Sequence, residues 1–271
     1  MGTLENSRKF LRELQGAGAR WDSSSAPARE LDWARRGTAY FARILNDLTD
    51  AELDKPSLAQ GWSRHHVDAH VGYHARALTR LTEMAAGNPA NLMYSSEAER
   101  LAEIEQGATL PSHALRGLFR HSSVHLDVEW RDLTAEAWDV PLHLSDDRPC
   151  TARDTPMMRA QEVWLRSADL DAGGSLVDMP PDMLDHLLED AVRSWNTQPL
   201  ILVVIDRGGL RLSLGSGEGH LISGRAADLL SWLSGRGAKH LSNVGSLPVA
   251  PLHGKWPAQR DVFNQKDHSN E

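Results

Sequence analysis

A single cysteine, Cys150, leaves the 271-residue chain without any intramolecular disulfide framework. It follows Asp146-Asp147-Arg148-Pro149, a loop-forming context, and its thiol reads as incidental rather than nucleophilic. Long apolar runs are missing as well: nothing approaches the roughly 18 consecutive residues of a membrane span. Met1 to Arg20 is mixed and charged, without the apolar core of an export signal, so a cytoplasmic protein is expected. Basic runs are absent and the formal net charge is −8, which argues against the basic face that a nucleic-acid binder needs. There is no phosphate-cradling glycine motif and no defensible Ser-His-Asp arrangement. Gly215-Ser216-Gly217 reads as a turn.

Histidine is what the chain concentrates. Four of thirteen fall between positions 65 and 74, in Gly61-Trp62-Ser63-Arg64-His65-His66-Val67-Asp68-Ala69-His70-Val71-Gly72-Tyr73-His74. Ser63 suits a helix N-cap, and Val67, Val71, Ala75 and Leu78 supply an apolar rhythm. On such a helix His66, His70 and His74 climb one flank, each offset about 40° from the last. That arrangement can present one imidazole to a site inside a bundle, or two to one metal ion. The plainer alternative is a set of solvated or hydrogen-bonded imidazoles.

The rest of the chain organises around this helix. Residues 1–24 read as an N-terminal extension, with Leu4, Phe10, Leu11 and Leu14 suggesting a short amphipathic helix. Leu31, Ala34, Thr38, Phe41, Leu45 and Leu48 predict a helix over about 28–48. The histidine helix runs from Ser63 to about Ala86, where Gly87-Asn88-Pro89 ends it. A helical run over 97–106 follows, then a long helix from Pro111 through Leu115, Leu118, Phe119, Leu126 and Trp130 that carries His121 and His125. Residues 134–154 read as an irregular crossover. Thr155-Pro156, as N-cap and first residue, opens a helix to Leu170, stopped by Gly173-Gly174. These long helices predict a four-helix bundle over 25–173.

After Gly174 the pattern changes. Pro180-Pro181 opens a helix to Trp195, residues 200–205 form a buried strand, Arg207-Gly208-Gly209 a hairpin turn, and 210–214 an alternating strand. Leu221-Ile222 suggests a third strand, and Ser223 or Gly224 the start of a last helix to Gly235. Residues 174–257 thus read as a small α+β domain, and 258–271 as a flexible tail. The expected class is α+β, mainly α.

Glu162 lies mid-helix among Val163, Trp164 and Leu165, and a carboxylate in such company needs a partner. A cation shared with a histidine of the second helix is one solution. Arg166, one turn later in the favourable order for a helix ion pair, is another. Asp169 can pair similarly or cap the helix end. Arg236, after Gly235 at a helix end, reads locally as a structural cap.

The ordered set of motifs resembles the mycothiol-dependent maleylpyruvate isomerase family. It comprises Pro56-Ser57 with Gly61-Trp62-Ser63, Ala69-His70-Val71, Ala77-Leu78, Ala86-Gly87, Met93-Tyr94-Ser95, Glu162-Val163-Trp164 and Asp169-Leu170. Gly224-Arg225-Ala226-Ala227-Asp228-Leu229-Leu230 and Trp232-Leu233-Ser234-Gly235-Arg236 extend it, so the likeness spans roughly 28–257. It implies a DinB-like four-helix bundle followed by a small α+β domain. It also implies metal ligands at His70, Glu162 and a histidine four residues after that glutamate, with a substrate-binding arginine at Arg236. The family metal, usually zinc, activates the thiol of mycothiol, because a bound cation favours the nucleophilic thiolate.

The chain departs from this pattern at the third ligand. Arg166 stands there, and guanidinium offers no lone pair. A zinc site then needs His74 or His66, or a histidine such as His121 or His125 reaching in from the next long helix. Otherwise Arg166 takes the place of the cation, and His70, Glu162 and Arg166 form the thiol-binding end of the bundle. The leading expectation is therefore mycothiol-dependent S-transfer or thiol exchange on a small, specialised metabolite, with Arg166 and Arg236 at the chemistry. The alternatives are cis-trans isomerisation of maleylpyruvate, a degenerate non-catalytic thiol-binding protein, and a metal-dependent hydrolase or amidase. The expected partners are a small-molecule thiol and a small substrate, with no nucleic acid and no membrane, in a monomer or homodimer.

Overall fold

The computed structural model describes residues 21–89, 93–144, 147–194, 199–215 and 219–242. The expected amphipathic helix around Phe10 and the tail over 258–271 lie outside these residues. The helices are α1 (Ala28–Asp47), a short α2 (Asp50–Leu53), α3 (Arg64–Ala85), α4 (Glu97–Ala108), α5 (Ser112–Asp132) and α6 (Thr155–Asp169). Each long helix buries the stripe its sequence announces. On α1 this is Leu31, Ala34, Phe41 and Leu45, and on α5 it is Leu115, Leu118, Phe119, Leu126 and Trp130. The bundle is made of two pairs, α1 on α6 and α3 on α5, joined where α3 also packs on α6, with α4 laid against α3. Gly37 lets α1 and α6 approach: a Cβ there would lie 2.5 Å from Val163 Cγ2 and 2.6 Å from Trp164 Nε1.

Three local expectations are corrected. The 134–154 segment contains a small antiparallel hairpin, β1 (Pro141–His143) with β2 (Pro149–Thr151), pairing Leu142 with Cys150. Cys150 therefore sits on a strand. Three-residue strands bounded by proline are too short to show alternation. The N-cap of α6 is Asp154, not Thr155, whose hydroxyl instead accepts from Trp130 Nε1 and donates to the Ala152 carbonyl. Ser223 and Gly224 do not start the last helix; they end a strand, and Arg225 is the N-cap.

Beyond Leu176 come α7 (Pro181–Ser194), β3 (Leu200–Val204), β4 (Leu210–Leu214), β5 (His220–Gly224) and α8 (Ala226–Leu233). The strand order is β4-β3-β5, with β3 antiparallel to β4 and parallel to β5. Gly208 and Gly209, at φ 64° and 78°, make the β3–β4 turn. Helix α8 packs on β3, β5 and α7. This module is fastened to the bundle by Trp33 Nε1 donating to Asp182 (3.1 Å) and by the Tyr40 hydroxyl donating to Asp178 (2.5 Å). The class is α+β, mainly α, with a four-helix bundle leading.

Candidate active site

The site is built where α3, α4 and α6 meet the end of α8. Its entrance segment is fixed first. Gly61 adopts φ 82°, which turns the chain so that the buried Trp62 ring lies 5.4 Å from the His70 ring. Leu58 N–H donates to the Asp169 carbonyl (2.9 Å), and Arg64 Nη2 donates to the Asp171 carbonyl (2.5 Å). The segment is thereby anchored over the C-terminal end of α6. Ser63 caps α3, and His66 answers it. His66 Nδ1 accepts from the Ser63 N–H (3.2 Å) and meets its hydroxyl (2.7 Å), while Nε2 faces Glu105 (3.3 Å). Both His66 nitrogens are thus occupied by capping and surface contacts.

His70 and Glu162, 92 residues apart in the chain, meet directly: His70 Nε2 donates to Glu162 Oε1 at 2.5 Å. On the other side of the ring, Arg100 Nη1 donates to Nδ1 at 3.4 Å. A guanidinium can only donate, so Nδ1 is the acceptor and the proton resides on Nε2. Arg166 Nε donates to the same Glu162 oxygen at 2.6 Å, and its Nη1 donates to Asp169 Oδ2 at 3.0 Å. Arg236 then grips Asp169 with two bonds, Nε to Oδ1 (2.8 Å) and Nη2 to Oδ2 (2.7 Å). A ladder therefore runs His70–Glu162–Arg166–Asp169–Arg236. Its side chains are only 3–6% exposed.

Burial sets the electrostatics. Burial pushes His70 below the ordinary imidazole value, against the pull of Glu162, so the ring is neutral. Burial also works to raise the Glu162 pKa, but His70 and Arg166 beside it outweigh this and hold the carboxyl well below the usual range. Burial likewise works against the Arg166 charge, and Glu162 and Asp169 reverse that, keeping the guanidinium firmly protonated. His74, one turn beyond His70, is driven by burial down to about 3, and its Nδ1 has no hydrogen-bond partner.

A zinc ion needs three or four lone-pair donors converging on one point. Here the position expected to supply the third donor presents Arg166, whose N–H already occupies the Glu162 oxygen. His70, Glu162 and His74 do not bring three ligand atoms together. Among the described residues only Glu83, His125 and Glu129 do so, within 4.8 Å, with His125 44% exposed. His125 is engaged there and His121 is exposed, so neither reaches into the bundle. The residues at His70 and Glu162 do not fit the zinc site that the family pattern calls for.

Two contacts escaped the sequence reading. Arg100 has a visible signal: it shares a buried stripe with Ile104 and Gly107, an arginine where an apolar residue is expected. The Asp169–Arg236 pair has none, because 67 residues separate its members.

The comparisons agree with this architecture. The model of the mycothiol maleylpyruvate isomerase N-terminal domain matches residues 34–171. A crystal structure of the mycothiol-dependent maleylpyruvate isomerase is 33% identical, with a TM-score of 0.77 over 83% of this chain and 95% of that one. A crystal structure of a histidine-to-alanine mutant of such an isomerase is 32% identical, with the same TM-score and coverage. No curated protein matches the chain.

Proposed function

The chain belongs to the mycothiol maleylpyruvate isomerase family, and from that premise we propose a metal-independent, mycothiol-dependent enzyme that performs S-transfer or thiol exchange on a small metabolite. The observation that carries this reading is the Arg166 guanidinium seated on Glu162, in the place of a ligand. Mycothiol, when bound, supplies a thiol whose thiolate is the attacking species.

The chain's own residues favour an anion at this end of the bundle. Arg100, Arg166 and Arg236 contribute three positive charges, against Glu162 and Asp169 within the ladder. The carboxylate that answers Arg100, Glu97, has a side chain 56% exposed. Low exposure strengthens these interactions and excludes water. His70, held between Arg100 and Glu162, keeps one tautomer. Arg166, with its Cζ 5.5 Å from the Trp62 ring centroid, cannot swing away without breaking three contacts. A permanent cation in this position lowers a thiol pKa by the same electrostatics as a bound metal, without providing an open coordination site for water.

Isomerisation of maleylpyruvate is the second reading, favoured by what the two solved relatives are said to be. Metal analysis of the purified protein, combined with a mycothiol titration with and without chelator, tests the metal-independent reading. The expected result is no stoichiometric metal and chelator-insensitive binding. One zinc per chain that survives Arg166→Ala overturns it. Turnover of mycothiol with electrophiles and with maleylpyruvate then separates transferase, isomerase and a purely binding protein.

A further inference from the structure

The cleft between α1 and α5 holds a second group of charges, apart from the ladder. It encloses about 330 Å³. Phe119, Leu126 and Trp130 give it apolar walls, and Val124, 59% exposed, forms part of its lining. Four arginines line it (Arg35, Arg120, Arg131 and Arg159) against one acid, Asp127. In a chain of net charge −8, that is a local reversal of sign.

Arg159, on α6, is the decisive residue. It is 1% exposed, and its guanidinium donates to the Val71 carbonyl (2.7 Å) and to the Ser123 hydroxyl (3.0 Å), the latter another lining residue. Among the described residues no carboxylate lies within ion-pair distance of it. Glu162, the acid whose charge acts on it most, is already shared by His70 and Arg166. A buried cation without a counter-ion is costly, and burial has drawn this arginine down to about 10. Around the cleft, Arg35 and Arg131 are answered by Asp127, and Arg35 also by Asp22, whereas exposed Arg120 has no carboxylate partner among the described residues.

We propose that this cleft is a second binding site, for a small amphipathic monocarboxylate. Its acid group neutralises Arg159 and Arg120, and its apolar body covers Phe119, Leu126 and Trp130. The size suits a small molecule, and a few placed polar groups in an apolar lining are the usual composition of such sites. The chain's own first twenty residues are a poorer occupant. They carry Arg8, Lys9, Arg12 and Arg20 against Glu5 and Glu13, the wrong sign for a cationic cleft.

Octanoate is the probe, titrated calorimetrically into the full-length protein, with octanamide as its uncharged counterpart. The expected result is saturable 1:1 binding of octanoate and at least tenfold weaker binding of octanamide, since the charge-assisted hydrogen bonds are lost. Ala39→Trp, on the exposed part of the lining, should abolish binding, and Arg120→Ala should weaken it severalfold. Arg159→Met should remove the preference for the acid; if it does not fold, the other two variants decide. Equal binding of acid and amide, undiminished binding to Ala39→Trp, or no octanoate binding overturns the proposal.

Discussion

Arg166 Nε lies 2.6 Å from Glu162 Oε1, the same oxygen that His70 Nε2 reaches at 2.5 Å. One carboxylate oxygen therefore takes two N–H donors, one of them from the position where the family pattern expects a third ligand. Arg166→His restores a lone-pair donor there. The variant should be purified with about one zinc per chain and the wild type without it, as read by elemental analysis. A wild type already loaded with zinc would contradict the donor-set argument.

Removing Arg166 takes the bonded guanidinium away from the buried Glu162 carboxylate, whose His70 N–H partner does not replace that charge. Arg166→Ala should cost about 3–5 kcal/mol in denaturant unfolding. Adding Glu162→Gln to that variant should recover part of the loss, because the stranded charge goes with it. Equal destabilisation of the single and double variants would show that the two side chains are not coupled.

Arg236→Lys keeps the charge but cannot hold Asp169 with two bonds. A loss of about 1–3 kcal/mol is expected on unfolding, from weakened charge-assisted bonding. Under the proposed function, catalytic efficiency should fall at least tenfold. Retention of full activity and substrate affinity would take Arg236 out of the chemistry and leave it as a structural clamp.

Asp68 is fully buried on α3, with no hydrogen-bond partner for either oxygen. Burial raises its pKa well above the ordinary value, opposed by Arg116. Its folded form is therefore protonated where its unfolded form is not. Its contribution to stability is full below about pH 4 and is lost as pH rises towards the folded pKa. Asp68→Asn should raise the melting temperature at pH 7.5 by more than at pH 4.5. Equal shifts at the two values would mean that Asp68 carries the same charge in the folded and unfolded states over that range, and so that burial does not raise its pKa.

His74 gives the opposite slope. Its folded pKa, near 3, lies below the unfolded value of about 6.5, so its stabilising contribution is present above about 6.5 and is lost as pH falls towards 3. His74→Leu should make the acid limb of the stability profile shallower. An unchanged limb would assign acid sensitivity to other groups, such as His70.

The helices and their core faces were legible because each long helix repeats its apolar residues at helical spacing over several turns. Val67, Val71, Ala75 and Leu78 are all fully buried as that spacing predicts. The Glu162–Arg166 pair was legible for the same local reason, being four residues apart on one helix. His66 is instructive in the other direction. Its separation from Ser63 matches a capping box with histidine in the usual glutamate position, yet its spacing from His70 suggested a ligand. The geometry of the cap governs where that ring points. Arg236 caps a helix-end carbonyl, that of Ser234 (3.1 Å), as its local context suggests, and it is also a bidentate clamp on Asp169, which the sequence hid because that partner comes from a distant helix. The β1–β2 hairpin was hidden by its brevity, and the parallel β3–β5 pairing is a non-local choice that no short pattern encodes.

The ladder has a consequence for how the protein comes apart. Its outermost bond joins Arg236, beyond α8, to Asp169 at the end of α6, and Trp33–Asp182 and Tyr40–Asp178 reinforce the same seam. Detaching the C-terminal module while the bundle stays intact would leave Asp169 facing only Arg166, which is already committed to Glu162. Such a half-open species is disfavoured at both ends of the break. Melting should therefore be one cooperative event, with calorimetric and van't Hoff enthalpies equal.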